Sequence, residues 1–183
     1  MSDKELILGC QQNDPKSQTA FYQKYKSRLM GICRRYAKNT EEAEDILQES
    51  FIKIFRNIAE IRNPDAIVGW MKRIVTNTAL NYYRSQLHYP QTVDYQDISH
   101  SNDDYWKLMA QLSNEEIVKV INALPDGYRM VFNLYVIDGY DHAEIGQMLG
   151  ISENTSRSQL FKARDVLKKK LKELGIVNYE QQT

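Results

Sequence analysis

Apolar residues recur at three- and four-residue intervals along almost the whole chain, the spacing of amphipathic α-helices. No stretch alternates in the manner of a half-buried strand, so the pattern predicts an all-α protein. Polar punctuation marks where the helices start. Ser2-x-x-Glu5 has the form of a capping box opening a first short helix. Asp14-Pro15 places a cap and a first-turn proline before a helix carrying Phe21, Tyr22, Tyr25, Leu29, Ile32 and Tyr36. Thr40, followed by Glu41 and Glu42, starts another with Ile46, Leu47, Phe51, Ile54 and Phe55. Asn63-Pro64 starts a third long helix, running to about Arg84.

The periodicity fails from Gln86 to Ser113, where a proline, scattered polar residues and acids replace it. A stretch of that length is too long for an ordinary loop inside a compact domain and predicts a linker. Within it, Tyr105, Trp106 and Leu108 are candidates for a local turn or a docking contact. Helical spacing resumes at about Asn114 and continues as four helices separated at Pro125, Gly139 and Gly150. The expected organisation is two small helical domains, residues 1–85 and 114–176, with an acidic linker, 86–113, and a short tail, 177–183.

Composition narrows the class. With 42% hydrophobic and 26% charged residues the chain can build cores and remain soluble. No apolar run approaches the roughly 20 residues of a membrane span, and the acidic, polar start predicts no signal peptide. Cys10 and Cys33 stand alone, without a CxxC spacing, and read as reduced thiols of a cytoplasmic protein. His88, His100 and His142 fall at no metal-ligand spacing, and no nucleophile–base pair stands out, so neither a cofactor nor catalysis is expected.

Net charge is zero, but the charges are segregated. From Lys16 to Lys38 there are seven bases and no acid; from Glu41 to Glu49, five acids and no base. From Ile151 to Lys172 seven bases face only Glu153 and Asp165. Such a chain is suited to more than one kind of partner.

Three stretches carry candidate chemistry. In GQMLGISENTSRSQLFKAR, residues 146–164, Gly146, Gly150 and Ile151 fall where a helix-turn-helix needs a small residue, a positive-φ glycine and an apolar plug. Ser152 is positioned to cap the next helix, whose buried side would hold Leu160, Ala163, Leu167 and Leu171. Asn154, Thr155, Arg157, Ser158 and Gln159 read as its first exposed positions, and Phe161, Lys162 and Arg164 extend the outer face. A helix N-terminus of this composition suits the DNA major groove; an ordinary helical hairpin with a solvated basic face is the plainer reading. Ser156 stands where a β-branched apolar residue is usual.

In EEAEDILQESFIKIF, residues 41–55, Asp45, Gln48 and Glu49 share one face, while Ile54 and Phe55 turn inward. In WMKRIVTNTALNYYR, residues 70–84, Trp70, Arg73, Asn77, Asn81 and Arg84 form a polar stripe with an aromatic at one end. Met71, Ile74, Val75 and Thr78 are left for the core. Amides, arginines and an aromatic side by side suit stacking on unpaired bases. Either face is equally a solvated one on periodicity alone.

Taken together, the three stretches resemble one family. DILQESFIKIF is similar to the polymerase-binding helix of bacterial RNA polymerase sigma factors, and WMKRIVTNTALNYYR to their promoter-melting helix. The stretch from LPDGYRM to QLFKAR is similar to their upstream-promoter helix-turn-helix. A chain with only these two domains resembles the extracytoplasmic-function (ECF) group, and NTS at 154–156 with the following RSQLFKAR resembles members from Bacteroidetes-like bacteria. The resemblance implies that Asp45, Ile46, Leu47, Gln48 and Glu49 contact the clamp helices of the polymerase's largest subunit. It implies that Trp70, Arg73, Asn77, Asn81 and Arg84 hold the melted minus-ten strand, and that Asn154, Thr155, Arg157, Ser158, Phe161 and Lys162 meet the minus-thirty-five element. Core polymerase (clamp helices and flap), promoter DNA and an anti-sigma factor are the implied partners, with no membrane insertion. Lys162 and Gln159 stand where the family often has Arg; lysine cannot make arginine's bidentate contact. A stand-alone helix-turn-helix regulator, dimerising through its first domain, is the alternative.

Overall fold

Side-chain caps set most of the helix starts in the structure, a computed structural model that describes residues 2–86 and 109–175. Helix α1 (Asp3–Gln11) opens with the expected capping box: the Glu5 amide donates to the Ser2 hydroxyl, and the Glu5 carboxylate accepts from the Ser2 amide. Helix α2 (Pro15–Tyr36) is capped by Asp14, which accepts from the amide and hydroxyl of Ser17 at 2.8 and 2.6 Å. Two starts differ from expectation. Helix α3 (Thr40–Asn57) is capped by Asn39 rather than Thr40, because the Asn39 side chain accepts from the Glu42 amide at 2.8 Å. Asn63-Pro64 opens only a 3-10 turn (Pro64–Ala66), and helix α4 (Ile67–Gln86) follows it. There Asn63 accepts from the amide two residues on, which tightens the first turn.

The described residues form two compact units that divide after Gln86. In the first, α2 packs on α1, α3 and α4, and α3 packs on α4. Phe21, Leu29, Ile46, Ile54, Met71, Val75 and Leu80 fill the centre, each at most 1% exposed. The inward positions predicted for Met71, Val75 and Thr78 hold, whereas Phe55 and Ile74 are only half-buried. Polar contacts fix α1: its Gln11 amide donates to the carbonyls of Ile58 and Ile61, and Asp3 meets Lys24 and the Tyr25 hydroxyl.

The second unit contains α5 (Asn114–Asn122), α6 (Asp126–Phe132), α7 (His142–Leu149) and α8 (Glu153–Glu173). A π-turn, Asn133–Ile137, extends α6 and ends before Gly139, whose φ of 82° is natural to glycine. Helix α8 is the hub, in contact with α5, α6 and α7. Leu160, Ala163, Leu167 and Leu171 form its buried stripe as expected. One boundary shifts. Met109, expected in the linker, is only 3% exposed, and its carbonyl accepts from the Leu112 amide. Most of the expected linker, including Tyr105, Trp106 and Leu108, and the tail at 177–183 lie outside the described residues. Among the described residues no helix is long and apolar enough to cross a membrane.

Candidate nucleic-acid interface

The turn between α7 and α8 has the geometry that the sequence predicts. Gly150 closes α7 with φ 70° and ψ 34°, a left-handed conformation that side chains resist. A Cβ on Gly146 would lie 2.9 Å from the Ile151 carbonyl oxygen, so only glycine permits this approach of α7 to the turn. The Ile151 amide donates to the Gly146 carbonyl at 3.0 Å. Ser152 caps α8 by accepting from the Thr155 amide at 2.9 Å, and its hydroxyl also meets the Thr155 hydroxyl at 2.8 Å. The α8 N-terminus therefore stands proud, with Asn154 and Arg157 exposed and Thr155, Phe161 and Lys162 half-buried. The Arg157 guanidinium pairs with Glu153 one turn earlier, at 2.5 Å.

Ser158 and Gln159 correct the sequence reading. They are 8% and 2% exposed, so neither belongs to the outer face. Extending the stripe of Leu160, Ala163 and Leu167 backward by helical steps reaches Ser156 and Gln159. The Ser158 hydroxyl turns onto its own helix and donates to the Thr155 carbonyl at 3.0 Å. Ser156 is fully buried, and its hydroxyl lies 2.9 Å from Nδ1 of His142. The His142 ring stacks on Tyr135, with centroids 4.3 Å apart and planes 17° apart. Burial lowers the pKa of His142 from its ordinary value, with Arg157 acting in the same direction.

In the first unit, Trp70, Arg73, Asn77, Asn81 and Arg84 follow one another along α4 at steps of three and four. Trp70 is half-buried; the other four are exposed. Thr76, Thr78 and Ala79 beneath them are buried, which fixes the rotation of the stripe. A half-exposed aromatic ring with a row of amides and guanidinia beside it is suited to stack on a base and hydrogen-bond its edges.

On α3, Asp45, Gln48 and Glu49 are exposed. Ile46 is not available to a partner: it is 1% exposed and belongs to the core beneath this face. Leu47, at 6%, lies at the floor of a groove of about 690 Å³ between α2 and α3. Gln48 lines the same groove, with Tyr22, Met30, Phe51, Ile52 and Phe55. Glu49 pairs with Lys53 at 2.6 Å, and the Lys53 ammonium donates to the Thr78 hydroxyl of α4. The groove was missed from sequence because Tyr22 sits in the apolar run of α2, yet it is 36% exposed, as Ile52 is 46% exposed. Two long apolar side chains beside an already filled stripe are the signal that was there to find.

Comparison with known proteins agrees with this division of the chain. Residues 21–88 match the Sigma-70 region 2 family and residues 114–167 the Sigma-70 region 4 family. The ECF RNA polymerase sigma-E factor of Salmonella typhimurium (strain LT2) is 28% identical over 95% of this chain and 96% of its own length. The sigma-E factor of Escherichia coli (strain K12) gives the same identity and coverage. Among solved structures, CnrH in complex with the cytosolic domain of CnrY aligns with a TM-score of 0.50 and 19% identity. That alignment covers 93% of this chain and 97% of CnrH, and shows a shared fold. With both sigma-70 regions present in order, and relatives matched along nearly their full length, the chain belongs to the ECF group of RNA polymerase sigma factors.

Proposed function

We propose that the two units of this sigma factor divide promoter recognition between them, and that the exposed faces described above carry it. The chain directs RNA polymerase to promoters. Asp45, Gln48 and Glu49, with the groove beside Gln48, form the docking face for core polymerase, with Leu47 at its floor and Ile46 holding it from below. Trp70, Arg73, Asn77, Asn81 and Arg84 hold the melted minus-ten strand. Opening requires bases to leave the stack, at a cost of a few kcal/mol each, and stacking on Trp70 offsets part of it. Asn154, Thr155, Arg157, Phe161 and Lys162 meet the upstream element, and Ser158 contributes only by stiffening the helix.

The observation that carries this reading is the α4 stripe: five residues suited to unpaired bases, on a helix that a duplex-binding regulator does not require. A stand-alone regulator is not favoured, because the match to sigma-70 region 2 leaves its dimerisation domain unaccounted for. The reading needs no catalytic group, places the protein in the cytoplasm with the polymerase, and includes an anti-sigma factor as regulatory partner. Its test is transcription in vitro by core polymerase plus this protein, with the 5′ ends of the products sequenced. Initiation at a shared two-element promoter supports the reading; no protein-dependent initiation overturns it.

A further inference from the structure

Ser156, the fourth residue of α8, has no exposed surface, and its hydroxyl lies 2.9 Å from Nδ1 of His142, the first residue of α7. An apolar side chain at this position would hold the two helices together without fixing a direction. A hydrogen bond is sharply weakened by misalignment, so it resists rotation of one helix against the other. The His142 ring is itself held, stacked on Tyr135 at the π-turn that ends α6. Gly146 against the Ile151 carbonyl gives a second fixed point at the turn. Arg157 is the next residue after Ser156. Turning a helix by about 30° moves a side-chain tip about 6 Å from the axis by about 3 Å, the length of a hydrogen bond.

We propose that His142 and Ser156 are a positioning pair for Arg157, fixing the rotation of α8 at which Arg157 meets its upstream base. The inference rests on the upstream-element reading of α8. The surroundings keep the pair neutral. Burial disfavours a proton on His142, Arg157 and Arg164 act in the same sense, and Glu153 and Asp141 oppose them. A neutral imidazole retains both a donor and an acceptor nitrogen, so Nδ1 bonds the hydroxyl in either tautomer. The ring face is taken by Tyr135, which leaves Ser156 as its polar partner on α8.

The test uses reconstituted holoenzyme and a promoter library with a randomised upstream element. Ser156→Ala and His142→Leu should each lower discrimination at the base read by Arg157 by about three- to tenfold, the worth of one hydrogen bond. Selection at the minus-ten element should not move. The double variant should lose no more than either single one, as expected for partners in one interaction. His142→Asn, whose carboxamide reaches the Nδ1 position, should restore discrimination, which a purely space-filling role for His142 does not predict. Should Ser156→Ala unfold the unit, the contrast between His142→Asn and His142→Leu still decides. Undiminished discrimination in Ser156→Ala, or equal loss in His142→Asn and His142→Leu, overturns the pair. Arg157→Ala with an unchanged selection profile overturns the upstream reading and the pair's role with it.

Discussion

In its proposed role Arg157 has to leave Glu153, its partner at 2.5 Å, to meet DNA. Both side chains are about half exposed, so the pair is screened and weakly held. Its removal should strengthen upstream binding: Glu153→Gln frees the guanidinium and deletes a like charge to phosphate. A two- to fivefold gain in affinity of holoenzyme for upstream-containing DNA is expected, on the scale of about 0.5–1 kcal/mol for such pairs. Arg157→Ala should instead cost about 1–3 kcal/mol and relax preference at one or two upstream positions, the signature of a base contact. His142 gives the second unit a pH dependence whose sign is fixed. Its pKa is lowered in the fold, so unfolded chain takes up protons first as pH falls below the ordinary histidine range. Stability contributed by keeping His142 neutral is thus intact near pH 8 and declines from about pH 6.5 downward. Thermal unfolding followed across that window should show a drop in Tm that His142→Asn lacks. Cys33 presents the opposite case of a group with no chemistry to offer. Burial pushes its thiol up to about 12, and Cys10 up to about 11, so both should resist thiol reagents until the first unit unfolds.

At the scale of helices, the two working faces of the first unit should fail separately. The α3 face combines exposed Asp45 and Gln48 with the apolar groove, a wet rim around a dry centre. Gln48→Ala with Asp45→Lys should weaken binding to core polymerase at least tenfold while circular dichroism remains helical. Unchanged affinity would return the face to solvent. Trp70 and Asn77 lie two turns apart on α4, a spacing that in the proposed role lets both meet one stretch of unpaired strand. With stacking worth about 1–3 kcal/mol per base, Trp70→Ala should slow promoter opening by about ten- to a hundredfold. Permanganate reactivity of thymines on linear and pre-melted promoters separates opening from closed-complex formation. Equal impairment on both would make Trp70 a core residue. Much of this architecture was legible because periodicity and caps are local properties: Ser2, Asp14, Gly150 and Ser152 all act within about one turn of their own position, and Gly146 meets the turn only five residues on. What was not legible depended on partners. Ser158 and Gln159 read as outward because they are polar, although the apolar stripe extended backward already claimed Gln159. Ser156 looked like a weak substitute for an apolar residue until His142, distant in sequence, arrived beside it. The groove required two helices at once.

For the whole molecule the balance of charge matters more than any single patch. Lys and Arg number 24, as do Asp and Glu, so the protein as a whole has no net attraction for a polyanion. The bases are nevertheless collected into Lys16–Lys38 and into the stretch from Arg157 to Lys172, and acids into Glu41–Glu49. In the proposed roles each unit offers DNA few contacts of its own: one helix N-terminus in the second, one stripe for unpaired bases in the first. That stripe has no ligand while the duplex is closed. Promoter affinity should therefore emerge only when polymerase holds both units against one DNA, which multiplies two weak interactions through effective concentration. The free protein should bind duplex promoter DNA no better than random duplex at physiological salt, whereas holoenzyme should select its promoter. Holoenzyme binding should fall steeply with salt, because phosphate contacts release counterions. Lys162→Ala should flatten that slope by up to about one unit and weaken all upstream sequences alike, as a point charge on phosphate does. Fluorescence anisotropy of free protein and of holoenzyme, each titrated with salt on promoter and random duplexes, measures these quantities together. Tight, sequence-specific binding of a palindrome by the free protein would overturn this account and return the chain to the class of stand-alone regulators.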